Sequence, residues 1–187
     1  MGSLSRTLIV ADDLRVRTLG SDHIQDLCRW LSDPAVLEFY EGRDRPLNPE
    51  TARRCYLSKQ GAPVTGCIVE WHGKPIGYAQ FYPLDAAEKT PLGYTTAEPV
   101  FGMDQFIGEP ACRNQGIGTR LVSAMVEYLL SVQGAGRVVV DPRTDNPRAI
   151  RCYEKSGFRK VKILPEYELH EGRLRDCWLM EFASQDR

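Results

Sequence analysis

No apolar run in this 187-residue chain approaches the length of a membrane-spanning helix, so no helical membrane span is expected. The N-terminal stretch MGSLSRTLIVADD lacks the continuous apolar core of a secretory signal, and Arg6 stands where a myristoylation signal needs Ser or Thr. Internal repeats and low-complexity tracts are absent. The six cysteines form no C-x-x-C pair and do not cluster with the three histidines, which speaks against a zinc site or a disulfide framework. Reduced, mostly buried thiols in the cytoplasm, and no metal, are the expectation. An excess of charge of either sign is missing too. The 24 basic and 25 acidic residues leave a net charge of −1, which speaks against nucleic acid as a partner. What remains is a globular chain long enough to bury one full core, expected as a single domain over 1–187 with its core at about 14–182.

The elements alternate between two periods. Leu14 to Leu19 reads as a strand, followed by a helix from Ser21 or Asp22 as cap, with Ile24, Leu27, Cys28 and Leu31 on one face, up to Asp33-Pro34. Asn48-Pro49-Glu50 opens a second helix to about Leu57. Strands at Val64–Glu70 and Ile76–Tyr82 flank a turn at His72-Gly73-Lys74. Pro83 to Pro99, rich in Pro, Gly, Thr and acids, reads as a long loop. A strand through Ile107 and a helix from Gly116 to Leu130 follow, the latter with Leu121, Met125, Tyr128 and Leu129 inward. Arg137–Val140 is a short strand, and Asn146-Pro147 starts a helix ending before Gly157. Strands at Phe158–Leu164 and Asp176–Phe182 complete a mixed α/β sheet.

Chemistry concentrates between Val100 and Leu130. The loop Arg113-x-x-Gly116-x-Gly118 opens a helix. A helix N-terminus offers unpaired N–H groups and partial positive charge, a site for phosphate or pyrophosphate. Asp104, on the strand before it, is a carboxylate among apolar residues and a candidate acid/base group. Two acidic stretches, Asp85 to Cys112 and Leu164 to Phe182, suggest a cationic ligand beside that anion site. Cys112 lies in this region and Cys152 in the strand–helix unit that follows, but no base or metal partner is evident in sequence for a covalent route.

With a strand before it, a helix after it and a second strand–helix unit at Val138–Gly157, this loop resembles that of the GNAT superfamily, the acetyl-CoA-dependent N-acetyltransferases. The segments VLEFYEGRD, GKPIGYAQFY, GMDQFIGEP, DPRTDNPRAIRCYEKSGF and LPEYELHEG look like aminoglycoside 6'-N-acetyltransferases, above all the acetyltransferase half of the bifunctional acetyltransferase/phosphotransferases. The likeness runs from about Leu14 to Phe182. It implies a GNAT fold: a mixed, mostly antiparallel sheet with a central parallel strand pair, flanked by helices. It implies acetyl-CoA as co-substrate, a cationic aminoglycoside as partner, and direct attack in a ternary complex by a monomer or homodimer.

Site residues follow from the resemblance. Phe106, Ile107 and Gly108 would line the pantetheine, with Arg113, Gln115, Gly116 and Gly118 forming the pyrophosphate cradle. Asn146 would touch the cofactor or simply cap its helix. Tyr153 would protonate the leaving thiolate or pack beneath the cofactor. Asp104 would accept the amine's proton or only orient the amine. Asp141 is a substrate contact or a turn residue before Pro142, and Tyr40 and Tyr56 line the sugar site or belong to the core. Two other readings stay open: a GNAT enzyme for another polyamine, a hydroxylysine siderophore precursor or a protein N-terminus, and a module that binds acetyl-CoA or antibiotic without turnover.

Overall fold

The computed structural model describes residues 5–44, 47–57 and 63–183. Its strands are β1 Thr7–Ala11, β2 Leu14–Thr18, β3 Thr65–Trp71, β4 Lys74–Pro83, β5 Val100–Ile107, β6 Arg137–Val140, β7 Arg159–His170 and β8 Arg173–Ala183. They form one mostly antiparallel sheet in the order β1-β2-β3-β4-β5-β6-β8-β7, with β5 and β6 parallel. The helices are α1 Ile24–Trp30, α2 Pro34–Leu37, α3 Pro49–Ala52, α4 Ala86–Leu92, α5 Ile117–Ser131 and α6 Pro147–Lys155. The chain divides into two compact units, Met1–Phe81 with Asp104–Gly118, and Tyr82–Met103 with Thr119–Arg187.

In the first unit β1 to β4 form an antiparallel meander. The β3–β4 turn sits where expected, with His72 and Gly73 at φ of 49° and 74°, the left-handed pair that a two-residue hairpin requires. Leu19, Leu27, Trp30, Leu31, Ile68 and Tyr78 make its core. Neither Ser21 nor Asp22 caps α1; the chain enters it through a 3₁₀ turn at Ser21–His23 that follows Gly20. Asp33-Pro34 both ends α1 and begins α2, since the Asp33 carboxylate accepts the Ala35 N–H at 3.0 Å and Pro34 takes the first helical position. Asn48 caps α3 through the Thr51 N–H at 2.8 Å, and a wider π-type turn continues to Leu57.

The second unit departs from the sequence reading in three places. The expected loop Pro83–Pro99 contains α4, with Asp85 and Glu88 in a reciprocal capping box and Gly93 closing it at φ 96°. Pro91 lies inside that helix, so composition alone read the segment as irregular. On α5 the buried face is Leu121, Val122, Met125, Val126 and Leu129, whereas Tyr128 is half-exposed and its hydroxyl accepts the Gln133 side-chain amide at 2.9 Å. The last two strands are longer than expected and run as one hairpin through the acidic stretch, offset between Leu164 and Glu168 where Glu166 takes φ 49°.

Candidate active site

Period-2 alternation puts Gly102, Asp104 and Phe106 on one face of β5, and Gly108 follows the strand; both glycines are needed because rings fill the places a side chain would take. A Cβ at Gly102 would lie 2.6 Å from the Tyr82 ring, and one at Gly108 would lie 2.2 Å from the Trp30 ring. Between them the Asp104 carboxylate accepts a hydrogen bond from the Gln80 amide at 2.8 Å, and the Tyr78 hydroxyl donates to the Gln80 carbonyl at 2.9 Å. β4 and β5 approach tightly here, since a Cβ on Gly77 would meet the Phe106 carbonyl oxygen at 2.2 Å.

Around Asp104 the first unit gathers Tyr40, Tyr56, Tyr78 and Phe106. Tyr40 meets Phe106 edge-on at 4.8 Å between ring centres, and Tyr56 meets Tyr78 at 5.3 Å. The Tyr56 hydroxyl donates to Glu41 at 2.6 Å. Burial pushes all three tyrosine hydroxyls well above the ordinary range, and the nearby Glu41 carboxylate adds to this at each; Asp104 does so at Tyr40 and Tyr78. They therefore remain neutral donors. Tyr56 and Tyr78 are buried in the core, whereas Tyr40 and Phe106 are only partly buried against it, so these two rings, with the carboxylates nearby, are the ones that suit an ammonium group. Gln80 and Glu41 were not singled out from sequence, although both lie inside GKPIGYAQFY and VLEFYEGRD.

The loop after β5 is pinned by its own arginine. Arg113 donates through Nε to the Ile107 carbonyl at 3.0 Å and through Nη2 to Gly108 at 2.6 Å, and pairs with Asp33 at 2.7 Å. Those hydrogen bonds, the guanidinium first and the Ala35 N–H second, hold the Asp33 carboxyl below the usual carboxylate range. Arg113 thus shapes the cradle from behind. The Gln115 side chain donates to the Ala111 carbonyl. Asn114 and Gly116 take φ of 60° and 79°, and among the described residues nothing lies within 4 Å of where a Gly116 Cβ would stand. The glycine is needed for its dihedral, and the loop is open on that side. The 15-residue α5 begins at Ile117-Gly118, directing its first unpaired N–H groups to that opening. The β5–β6 ladder runs from Val100↔Arg137 to Gly102↔Val139, whereas β5 itself continues to Ile107. An open helix start and a strand that outruns its ladder fit a pyrophosphate joined to an extended amide chain.

In the second unit Asp141 follows β6 and lines a pocket with Tyr82, Glu88, Gly102, Val139 and Tyr167 among its walls. Burial, with Asp141 and Glu168 nearby, pushes the Cys177 thiol up to about 12. Asn146 caps α6 by accepting the Ala149 N–H at 3.1 Å. Tyr153 is buried and packs on Phe158 at 5.5 Å between ring centres. Cys152 lies 3.6 Å from the Thr119 hydroxyl, with its thiol raised by burial, which makes it a poor nucleophile. The acidic wall expected of the segment through Glu98 is partly spent internally. Arg137 bridges Glu98 and Glu181, each at 3.2 Å, and Glu98 also accepts the Thr95 N–H. Glu168 accepts the Cys177 thiol and lies 3.6 Å from His170. Glu88 and Asp141 are the acids that line the pocket.

Residues 20–165 match the family model described as an acetyltransferase (GNAT) domain. Over 151 residues the chain is 32% identical to aminoglycoside N(6')-acetyltransferase type 1 of Klebsiella pneumoniae, covering 80% of this chain and 75% of that one. It is 28% identical over 173 residues to the N(6)-hydroxylysine O-acetyltransferase of Escherichia coli, covering 87% of this chain and 52% of that protein. Its backbone superimposes with a TM-score of 0.74 on the crystal structure of aminoglycoside acetyltransferase AAC(6')-Ib in complex with coenzyme A and kanamycin, at 26% identity, covering 91% of this chain and 94% of that one. The chain belongs to the GNAT acetyltransferases. It is an acetyl-CoA-dependent N-acetyltransferase.

Proposed function

We propose that this enzyme acetylates the 6'-amine of an aminoglycoside by direct attack in a ternary complex, and that this acetylation confers antibiotic resistance. The observation that carries the reading is Asp104, fastened by Gln80 among Tyr40, Tyr78 and Phe106 on the strand that leads into the anion cradle. Acetyl-CoA supplies the acetyl group as a thioester, and the backbone of Phe106–Gly108 and the Gly116-x-Gly118 helix start would hold it. Asp104 orients the acceptor amine among the rings. Free amines of this kind have a pKa near ~10 in water, so aspartate gains driving force only once the nitrogen has begun to bond to carbon. As the C–N bond forms and the C–S bond breaks, the nitrogen's proton passes to Asp104 and on to solvent. The thiolate takes its proton from Tyr153. Asp141 holds a further ammonium of the polycation, and Asn146 contacts the co-substrate in addition to capping α6.

The relatives support an amine-bearing polar acceptor, one named for an aminoglycoside and one for a hydroxylysine. A thiol-release assay with acetyl-CoA against kanamycin-type and gentamicin-type sugars, polyamines and N(6)-hydroxylysine separates the two, with NMR of the product fixing the position acetylated. Turnover of the sugars alone, at the 6'-nitrogen, is the expected result. Preference for hydroxylysine, or for linear polyamines, would replace it.

A further inference from the structure

Asp104 when ionised can only accept hydrogen bonds, so the Gln80 side chain must turn its amide nitrogen toward it. The Gln80 carbonyl oxygen then faces the Tyr78 hydroxyl, which has to donate. The chain therefore has a single direction: Tyr78 O–H to Gln80 C=O, and Gln80 N–H to Asp104 at 2.9 and 2.8 Å. Its far end is rigid. Tyr78 is 1% exposed, its ring is wedged against Tyr56 and Phe106, and its hydroxyl sits over Gly66, where a Cβ would approach to 2.8 Å. Burial keeps that hydroxyl protonated far above neutral pH, so the donor is always present. Reversing the amide would set a carbonyl oxygen against the carboxylate and take from the Tyr78 O–H the acceptor it now has.

We infer that Gln80 is a positioning residue for the acetyl transfer: locked by Tyr78, it aims the Asp104 carboxylate at the acceptor amine and favours its ionised form. This rests on the role of Asp104 given above. A charged acceptor of a hydrogen bond is stabilised relative to its protonated form, so loss of the Gln80 donor makes Asp104 easier to protonate. The proton arriving from the amine must then meet a carboxylate that is both less well aimed and already partly occupied on the acid side.

The test uses Gln80→Leu, Gln80→Glu, Tyr78→Phe and Asp104→Asn in the full chain, with kcat, KM for each substrate and the pH profile of kcat/KM. For Gln80→Leu we expect kcat down about 10-fold or more, in the range of a single orienting contact, with KM for acetyl-CoA unchanged. The acidic limb of the profile should move to higher pH. Gln80→Glu sets a like charge beside Asp104 and should move the limb further in the same direction. Tyr78→Phe keeps the ring packing and should give a smaller shift of the same sign. A Gln80→Leu enzyme with wild-type kcat and an unmoved limb overturns the inference. A Gln80→Leu enzyme that loses rate without any limb shift in it or in Tyr78→Phe assigns Gln80 to packing and also overturns it. Full activity in Asp104→Asn would instead remove the underlying role of Asp104, a separately visible failure.

Discussion

A carboxylate with a reference pKa near ~3.9 is a weak base, so Asp104 has little power to deprotonate an ammonium before the reaction begins. Its usefulness comes from position. It stands on β5 at the period-2 place between Gly102 and Phe106, with a donor on one side and ring edges around it. Asp104→Asn preserves size and still offers a carbonyl oxygen to Gln80, while removing both the charge and the proton acceptor. We expect kcat to fall about 10²- to 10⁴-fold, with KM for acetyl-CoA unchanged, measured by thiol release. A change confined to KM for the amine would reduce Asp104 to an electrostatic anchor. Asp104 is a candidate that sequence alone offers, because its strand and the following glycine loop are contiguous. Gln80 and Glu41 are not, because each acts on a residue far along the chain: Gln80 on Asp104, 24 residues on, and Glu41 on Tyr56, 15 residues on. Sequence spacing carries no trace of such a pairing until the chain is folded.

At the scale of elements, local signals placed most of what surrounds the site. Asn48-Pro49, Asn146-Pro147, Gly157 and His72-Gly73 each act through a backbone requirement that one or two residues satisfy by themselves. Helix α4 carries equally good signals in Asp85, Glu88 and Gly93, but Pro91 and the surrounding acids and glycines outweighed them. β1 was missed because its five residues, TLIVA, are no more than half-buried and gain their strand character from pairing with β2. The cradle shows the same division. Its glycines were visible, whereas the inward turn of Arg113 toward Ile107, Gly108 and Asp33 needed the fold. That pin has a pH signature. The Asp33 carboxyl is held below its usual range by the Arg113 hydrogen bond and then by the Ala35 N–H. Its folded pKa lies below its unfolded value, so its stabilising contribution is complete above about pH 4 and fades as pH falls through the folded value. Asp33→Asn keeps the helix cap and removes the ion pair. Its melting temperature should lie below wild type at neutral pH, and the gap should narrow progressively as pH falls below about 4. A gap that stays constant across that range would show that the carboxylate charge does not hold the loop.

For the molecule as a whole, a net charge of −1 cannot steer a polycation by its total field, so any attraction must be local. Counting acids along the chain overstates that attraction, because Arg137 bridges Glu98 and Glu181, offsetting one of their two charges, while Tyr94 donates to Glu181 at 2.9 Å. Glu88 and Asp141 differ in setting, since both line the pocket that also holds Tyr82 and Tyr167. At physiological ionic strength charges are screened over roughly 8 Å, which favours acids in contact with the ligand over those elsewhere on the surface. Asp141→Asn and Glu88→Gln should therefore each raise KM for an aminoglycoside several-fold and flatten its rise with added salt, leaving KM for acetyl-CoA unchanged. Glu98→Gln should leave both the KM and its salt dependence at wild type and lower the melting temperature instead, because it frees one arm of Arg137. The decisive comparison is the slope of log KM against log salt for the three variants under one set of buffers. Equal flattening by Glu98→Gln would mean that the acceptor senses a diffuse surface field, and the pocket beside Asp141 would lose its claim on the ammonium.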